Sequence, residues 1–376
     1  MARGSVRRHD NGWGYRVDLG PDPATGKRRQ VSKQGFRTKR EAEQAAQAVL
    51  KAAAEGAVTN RTHRTVGEYL DEWLQMQQPR LRATTHHSYA MAVNRIKSGL
   101  GSAKLQSLTP LQVERFYREL TSTRLGRDYS PKTIRNTHTV LRKALADAER
   151  LELVIRNAAA AARPPAVDHK DRVTWSSEEL GEFLESVRDD RLYPVFVVLA
   201  TTGMRRGEVL GLRWRDVDFD AGDLAIANTR TPVKSEIVTG PPKTARSRRQ
   251  VFLDEWTLDV LRAQRRSQAA DRLAAGPAWN ADEDYVFTDE VGVPVNPNSV
   301  SKRFDTIVRK SGLPRLRLHD LRHTYATVAL KAGVHPKVVS ERLGHATVGI
   351  TLDLYSHVTP SIARDAADVV ASKIRR

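Results

Sequence analysis

The apolar residues of this chain change their period, and that change limits the available folds more than any single residue does. Between Ser5 and Phe36 short β-prone runs carry Trp13, Tyr15, Val17 and Leu19 at alternate positions, which places them on one face of a strand. From Thr65 onward Val66, Leu70, Trp73 and Leu74 follow the 3.6-residue period that gathers apolar side chains on one side of a helix. One layer cannot satisfy both patterns. The chain is therefore modular, and its 376 residues suit two or three domains of roughly 100–200 residues, three being the working count.

Punctuation in the sequence places the modules. Asn11-Gly12 and the Pro-Asp-Pro-Ala-Thr-Gly stretch at 21–26 break the first segment into a hairpin or three-stranded sheet, and Thr38 opens an alanine-rich helix to about Ala54. The pattern over 65–160 predicts an all-helical bundle, including a helix that Ser130 caps and Pro131 starts, carrying Ile134, Leu141, Leu145 and Ala148. Asn157 to Lys170, five alanines followed by Arg-Pro-Pro, reads as a linker. Ser176 and Glu179 then form a capping box for a helix through Phe183, and a new domain begins. It holds a buried helix near Tyr193 to Ala200, β-prone segments at Leu224–Arg230, Glu236–Thr239 and Arg248–Leu253, and several helices from about Asn298 to the end.

Charge narrows the partner. Lysine and arginine number 62 against 44 acidic residues, a net +18, and residues 1–64 alone carry 14 basic and 6 acidic side chains. Such an excess favours a polyanion, with nucleic acid as the first candidate. The chain has no cysteine, which excludes disulfides and thiolate chemistry and fits a reducing cytoplasm. No apolar run approaches the ~20 residues of a membrane span, and the start lacks a signal-peptide stretch, so a soluble protein without a membrane partner is expected.

Four stretches near the C-terminus concentrate residues suited to phosphate chemistry: TGMRRGE at 202–208, PPKTARSRR at 241–249, HDLRHT at 319–324, and LGH at 343–345 followed by LDLYSH at 352–357. Taken alone, the first reads more simply as a turn with a surface arginine. His319 and Arg322, three apart on a helix, either grip one phosphate or form an ordinary surface pair. His319 and His323 have the spacing of a zinc pair, but Arg322 between them repels a cation and no HExxH glutamate is present. Tyr355 by itself reads as a packing residue of an amphipathic helix.

In chain order the stretches run Arg, Lys, His-x-x-Arg, His, Tyr, and on that order the sequence resembles the tyrosine recombinases, the phage-integrase family, in their three-domain arm-binding form. The resemblance implies Arg205 and Arg322 as the two catalytic arginines and Lys243 as the hairpin lysine. It further implies His319 and His345 as the two histidines, and Tyr355, ten residues beyond His345, as the nucleophile. Glu208 and Asp320 occupy its supporting acidic positions. The implied fold is multidomain, mainly α with small β-sheets: a three-stranded sheet plus helix that binds arm-type DNA in 1–60, an all-α SAM-like core-binding bundle in 61–163, and an α+β catalytic domain in 164–376.

The implied activity is cleavage and rejoining of DNA at attachment sites through a 3′-phosphotyrosine, without metal, ATP or other cofactor. Two forked guanidiniums offset the charge that grows on the phosphate oxygens. A phenol of pKa about 10 needs a base, for which His319 is placed, while His345 bonds the phosphate and Lys243 protonates the departing 5′ oxygen. Partners implied are double-stranded DNA, three further copies in a tetramer, and an excisionase or host DNA-bending protein, all in the bacterial cytoplasm. The C-terminal piece Ile362–Ile374 reads as a terminal helix or one docked on a neighbouring protomer. A type IB topoisomerase-like enzyme and a non-catalytic DNA-binding regulator are the alternatives. The basic N-terminal sheet counts against the first, and the presence of all six motif residues against the second.

Overall fold

The computed structural model describes residues 3–21, 28–54, 63–122, 128–168, 173–242, 248–280, 284–345, 347–349, 351–352, 371 and 374. The chain divides into two compact units, Met1–His169 and Lys170–Arg376. It is mostly helical with small antiparallel sheets.

The first unit opens with β1 (Arg3–His9), β2 (Gly12–Pro21) and β3 (Arg28–Phe36), an antiparallel sheet in that order. Gly12 makes the first turn at φ 115°, where a Cβ would meet the Phe36 carbonyl oxygen at 2.6 Å, so the Asn-Gly signal has a steric basis. Tyr15 and Val17 face inward and pack with Ala46 of α1 (Lys39–Ala54). Thr38 begins that helix as expected: its hydroxyl accepts from the Glu41 amide at 3.2 Å, and the Glu41 carboxylate accepts from the Arg37 and Thr38 amides.

A second core follows within the same unit, built from α2 (Val66–Gln77), α3 (Ala83–Leu100), α4 (Pro110–Leu120), α5 (Pro131–Arg150) and α6 (Ala158–Ala161). Thr65 and Thr109 start α2 and α4 through capping boxes with Glu68 and Gln112, and Ser130 caps α5. Fully buried Tyr69 and Trp73 still satisfy their polar atoms, the hydroxyl donating to the Ala144 carbonyl at 2.6 Å and the indole to Asp147 at 2.8 Å. The alanine run is not simply a linker. Asn157 caps it with bonds to the Ala159 and Ala160 amides, and Ala158, Ala159 and Ala162 are buried in this core. Small side chains let the segment approach closely, a use that a composition-based reading cannot see.

In the second unit come α7 (Ser177–Ser186), α8 (Tyr193–Thr202), α9 (Arg206–Val209), β4 (Val217–Asp218), β5 (Asp223–Ala225), β6 (Thr229–Val233), β7 (Glu236–Gly240) and β8 (Gln250–Phe252). After these the chain forms α10 (Glu255–Ala275), α11 (Pro297–Lys310), α12 (Leu321–Lys331) and α13 (Pro336–Leu343). Ser176 and Glu179 cap α7 as the sequence indicates. The expected strand over Leu224–Arg230 is two strands in different sheets: β5 lies between β4 and β8, whereas β6 pairs with β7 in a hairpin. Trp175, Phe183, Phe196 and Phe304 form the centre of the core with ring centroids 5.1–5.9 Å apart. Among the described residues no helix is long and apolar enough to cross a membrane.

Candidate active site

The site begins where α8 stops. Gly203 follows Thr202 at φ +63°, a left-handed turn that ends the helix, and a Cβ there would lie 2.5 Å from both the Leu343 and Tyr325 side chains. Two residues on, Arg205 caps α9. Its amide and its Nη1 both donate to the Glu208 carboxylate, at 3.0 and 2.7 Å. Glu208 is buried and accepts a third bond from Arg249 Nη2 at 3.3 Å. TGMRRGE is thus a turn and a short helix that present an arginine braced from beneath by its own glutamate.

Opposite this turn lies the end of α13. The last carbonyls of a helix have no partner within it and carry the negative end of its dipole. Here three successive carbonyls are each held by a different guanidinium: Arg342 by Arg249 Nε at 2.6 Å, Leu343 by Arg322 Nη2 at 2.6 Å, and Gly344 by Arg205 Nη2 at 3.3 Å. Arg322 also donates from Nη1 to the Gly203 carbonyl at 2.8 Å, joining the two turns. Gly344 turns the chain at φ 67°, and His345 follows, its amide bonded to the Ser340 carbonyl at 3.0 Å. His345 Nδ1 lies 2.8 Å from the hydroxyl of fully buried Thr351. Arg205, Arg322 and His345, more than a hundred residues apart at the extremes, are thereby assembled around one helix end.

The electrostatics follow from three guanidiniums sharing one buried carboxylate. Burial pushes the Glu208 carboxyl up, but Arg249, the Arg205 amide and the Arg205 guanidinium outweigh it, so its pKa falls below the ordinary carboxylate range. Burial, with the Arg205 charge added, brings Arg322 down to about 9. Burial and then Arg322 and Arg205 bring His345 down to about 4, so the ring is neutral at pH 7. Each shift reports surplus positive potential in a desolvated place. An entering phosphate would relieve it.

His319 is not on the helix of Arg322. It sits in a 3-10 turn, Leu318–Asp320, and α12 starts only at Leu321. The turn is fixed by Asp320, whose carboxylate accepts from Arg317 at 2.8 and 3.1 Å. That acid therefore braces the turn through Arg317, whereas Glu208 braces Arg205 directly. The His319 ring is edge-on to His323 at 5.8 Å, and desolvation followed by the Arg322 charge lowers its pKa. Lys243 and Tyr355 lie outside the described residues, as does most of Ile362–Ile374. Arg249 is the participant that the sequence reading passed over. In the sequence it stands close to Lys243, Arg246 and Arg248 with nothing to single it out, and the structure shows its side chain turned inward onto Glu208.

The sequence model of the phage integrase family matches residues 176–361, an arm DNA-binding domain matches 5–53, and the phage integrase N-terminal SAM-like domain matches 65–121. A tyrosine recombinase XerC-like protein of Caldanaerobacter subterraneus subsp. tengcongensis is 28% identical over 354 residues, covering 89% of this chain and 90% of that protein. Among solved structures, the Tn1549 transposon integrase in complex with transposon right end DNA superposes with a TM-score of 0.70 at 21% identity, over 82% of this chain and 99% of that one. A lambda integrase tetramer bound to a Holliday junction gives 0.58 at 17% identity, over 93% and 94%. These two are likenesses of fold. With its three family matches in chain order and the arginines and histidine of its motifs gathered at one helix end, the chain belongs to the phage integrase family, the tyrosine recombinases.

Proposed function

We propose that this chain is a site-specific DNA recombinase that breaks and rejoins strands through a 3′-phosphotyrosine on Tyr355, integrating or excising a phage or other mobile element. The observation that carries the reading is the shared fixation of Arg205, Arg322 and His345 by the end of α13. Tyr355 follows His345 by ten residues in the sequence.

In this reading the two guanidiniums bind the non-bridging oxygens of the scissile phosphate and offset their growing charge. The Tyr355 oxygen attacks phosphorus, and its proton passes to His319. The bond from phosphorus to the 5′ oxygen breaks, and Lys243 protonates that oxygen. His345, neutral and steadied by Thr351, donates a hydrogen bond to the phosphate. A 5′ hydroxyl from a second duplex then attacks the phosphotyrosine and frees Tyr355, so the number of phosphodiesters is conserved and no energy source is consumed.

Residues 1–60 bind arm-type DNA, 61–163 grip the core site and 164–376 carry the chemistry. Four copies assemble on two duplexes in the bacterial cytoplasm, with an excisionase or DNA-bending protein setting direction. The separate hydrophobic cores around Tyr15, around Trp73 and around Phe183 support this division. The reading is tested by incubating the chain with a library of candidate attachment-site duplexes and sequencing the products. Recombinant junctions exchanged at one fixed position are expected. Relaxation of any plasmid with no exchanged junctions would point instead to a topoisomerase.

A further inference from the structure

The three carbonyls at the end of α13 engage three arginines, and the mechanism above uses only two of them. Arg249 is the third. Its side chain is 9% exposed, and its guanidinium spans two groups: Nε donates to the Arg342 carbonyl at 2.6 Å and Nη2 to the Glu208 carboxylate at 3.3 Å. Arg342 returns the contact, its Nη2 donating to the Phe252 carbonyl of β8 at 2.7 Å. The two ends of β8 and the end of α13 are therefore clasped in both directions, Arg249 reaching across from just ahead of the strand and Arg342 reaching back to its last residue.

We propose that Arg249 is a positioning residue for strand cleavage, holding Glu208 and the end of α13 in place so that Arg205 and His345 keep their aim at the scissile phosphate. This rests on the recombinase reading and adds a part to it. Arg205 is 39% exposed, and its orientation depends on the buried Glu208 carboxylate. Arg249 keeps that carboxylate from being an excess acceptor with one partner, and keeps it ionised. A lysine there could supply the charge but not a planar fork that reaches a carbonyl and a carboxylate together.

The charged groups facing Glu208 are Arg205 ahead of α9, Arg249 ahead of β8 and Arg322 on α12; Arg342 on α13 faces Arg249, and His345 feels both Arg205 and Arg249. Arg249 is the strongest of the charges holding the Glu208 carboxyl down. Its removal lets Glu208 take a proton at higher pH, and a protonated Glu208 no longer braces Arg205 as an anion. The acid limb of the cleavage rate then moves to higher pH.

The test is single-turnover covalent capture of a nicked duplex at saturating DNA, between about pH 5 and 9, by the full chain and by Arg249→Gln and Arg249→Lys. Expected are DNA affinity close to wild type, a melting temperature that is lowered but stays above the assay temperature, capture per folded protein slowed roughly 10- to 100-fold in Arg249→Gln, and an acid limb displaced upward. Arg249→Lys should restore the limb and only part of the rate. Wild-type capture by Arg249→Gln, or a loss that tracks DNA affinity or unfolding with an unshifted limb, overturns the proposal; so does failure of both variants to fold, which would make Arg249 a stability residue. Failure of the unsubstituted chain to capture any DNA would instead sink the recombinase reading itself.

Discussion

The guanidinium of Arg322 donates to the main-chain carbonyl of Leu343 at 2.6 Å, so an arginine of one motif is bonded to the backbone of another two residues before its histidine. Arg322 also holds the Gly203 carbonyl, and Gly203 stands two residues before Arg205. One side chain thus ties together the two turns that present Arg205 and His345.

Arg322→Ala should therefore lose stability as well as chemistry. It leaves two buried carbonyls without their donor, at about 1–3 kcal/mol each, or about 2–6 kcal/mol in denaturant unfolding. Arg205→Ala should abolish cleavage with a smaller stability loss, because Glu208 keeps Arg249. Urea midpoints measured beside cleavage rates separate the two effects. Equal midpoints for both variants would contradict the tie.

Gly203→Ala should be costly without touching a charged group. The new Cβ would sit at φ +63° and 2.5 Å from the side chains of Leu343 and Tyr325. Left-handed strain and overpacking together amount to about 2–4 kcal/mol. Loss of cleavage beyond the loss of folded protein is also expected, since the shift would displace the carbonyl that Arg322 holds.

Stability should fall in acid through His345. The ring's pKa is held at about 4 in the folded chain against an ordinary 6.5, so the unfolded chain takes up the proton first. The contribution is complete above pH 6.5 and is lost as pH falls from there towards 4. Unfolding free energy against pH should be flatter across that window in His345→Asn. An unchanged slope would show that this ring is not held neutral.

Much of the fold could be read from the sequence because the signals were local. Thr38, Ser130 and Ser176, read as helix starts from the sequence, each accept from an amide a turn away, and Thr65 and Thr109 do the same without having been singled out as caps. The 21-residue helix α10 was not foreseen, since its buried residues cluster at Thr257, Leu258, Val260 and Leu261 and the rest is polar and arginine-rich with little apolar stripe. The place of His319 in a turn ahead of the helix depends on the Asp320–Arg317 pair, which spacing alone does not reveal. Arg249 was hidden for a different reason. Its inward turn is decided by Glu208, 41 residues earlier, and by a carbonyl 93 residues later.

Binding to DNA should weaken steeply with salt. With a net charge of +18 and a cluster of guanidiniums held ready for phosphate, each neutralised phosphate should contribute about −0.9 to the log-log slope of affinity against salt. A slope near zero in a filter-binding or anisotropy series would contradict a phosphate-binding role for the basic residues.

The most direct test is covalent capture on a nicked duplex, from which the short 5′ end diffuses away and leaves the protein joined to the 3′ phosphate. The unsubstituted chain should give a DNA-linked species that resists denaturant and is cut back by protease to a peptide containing Tyr355, while Tyr355→Phe binds the same duplex and gives none. Undiminished adduct in Tyr355→Phe, or a linkage mapped to a different residue, would contradict a nucleophilic Tyr355 and the chemistry built upon it.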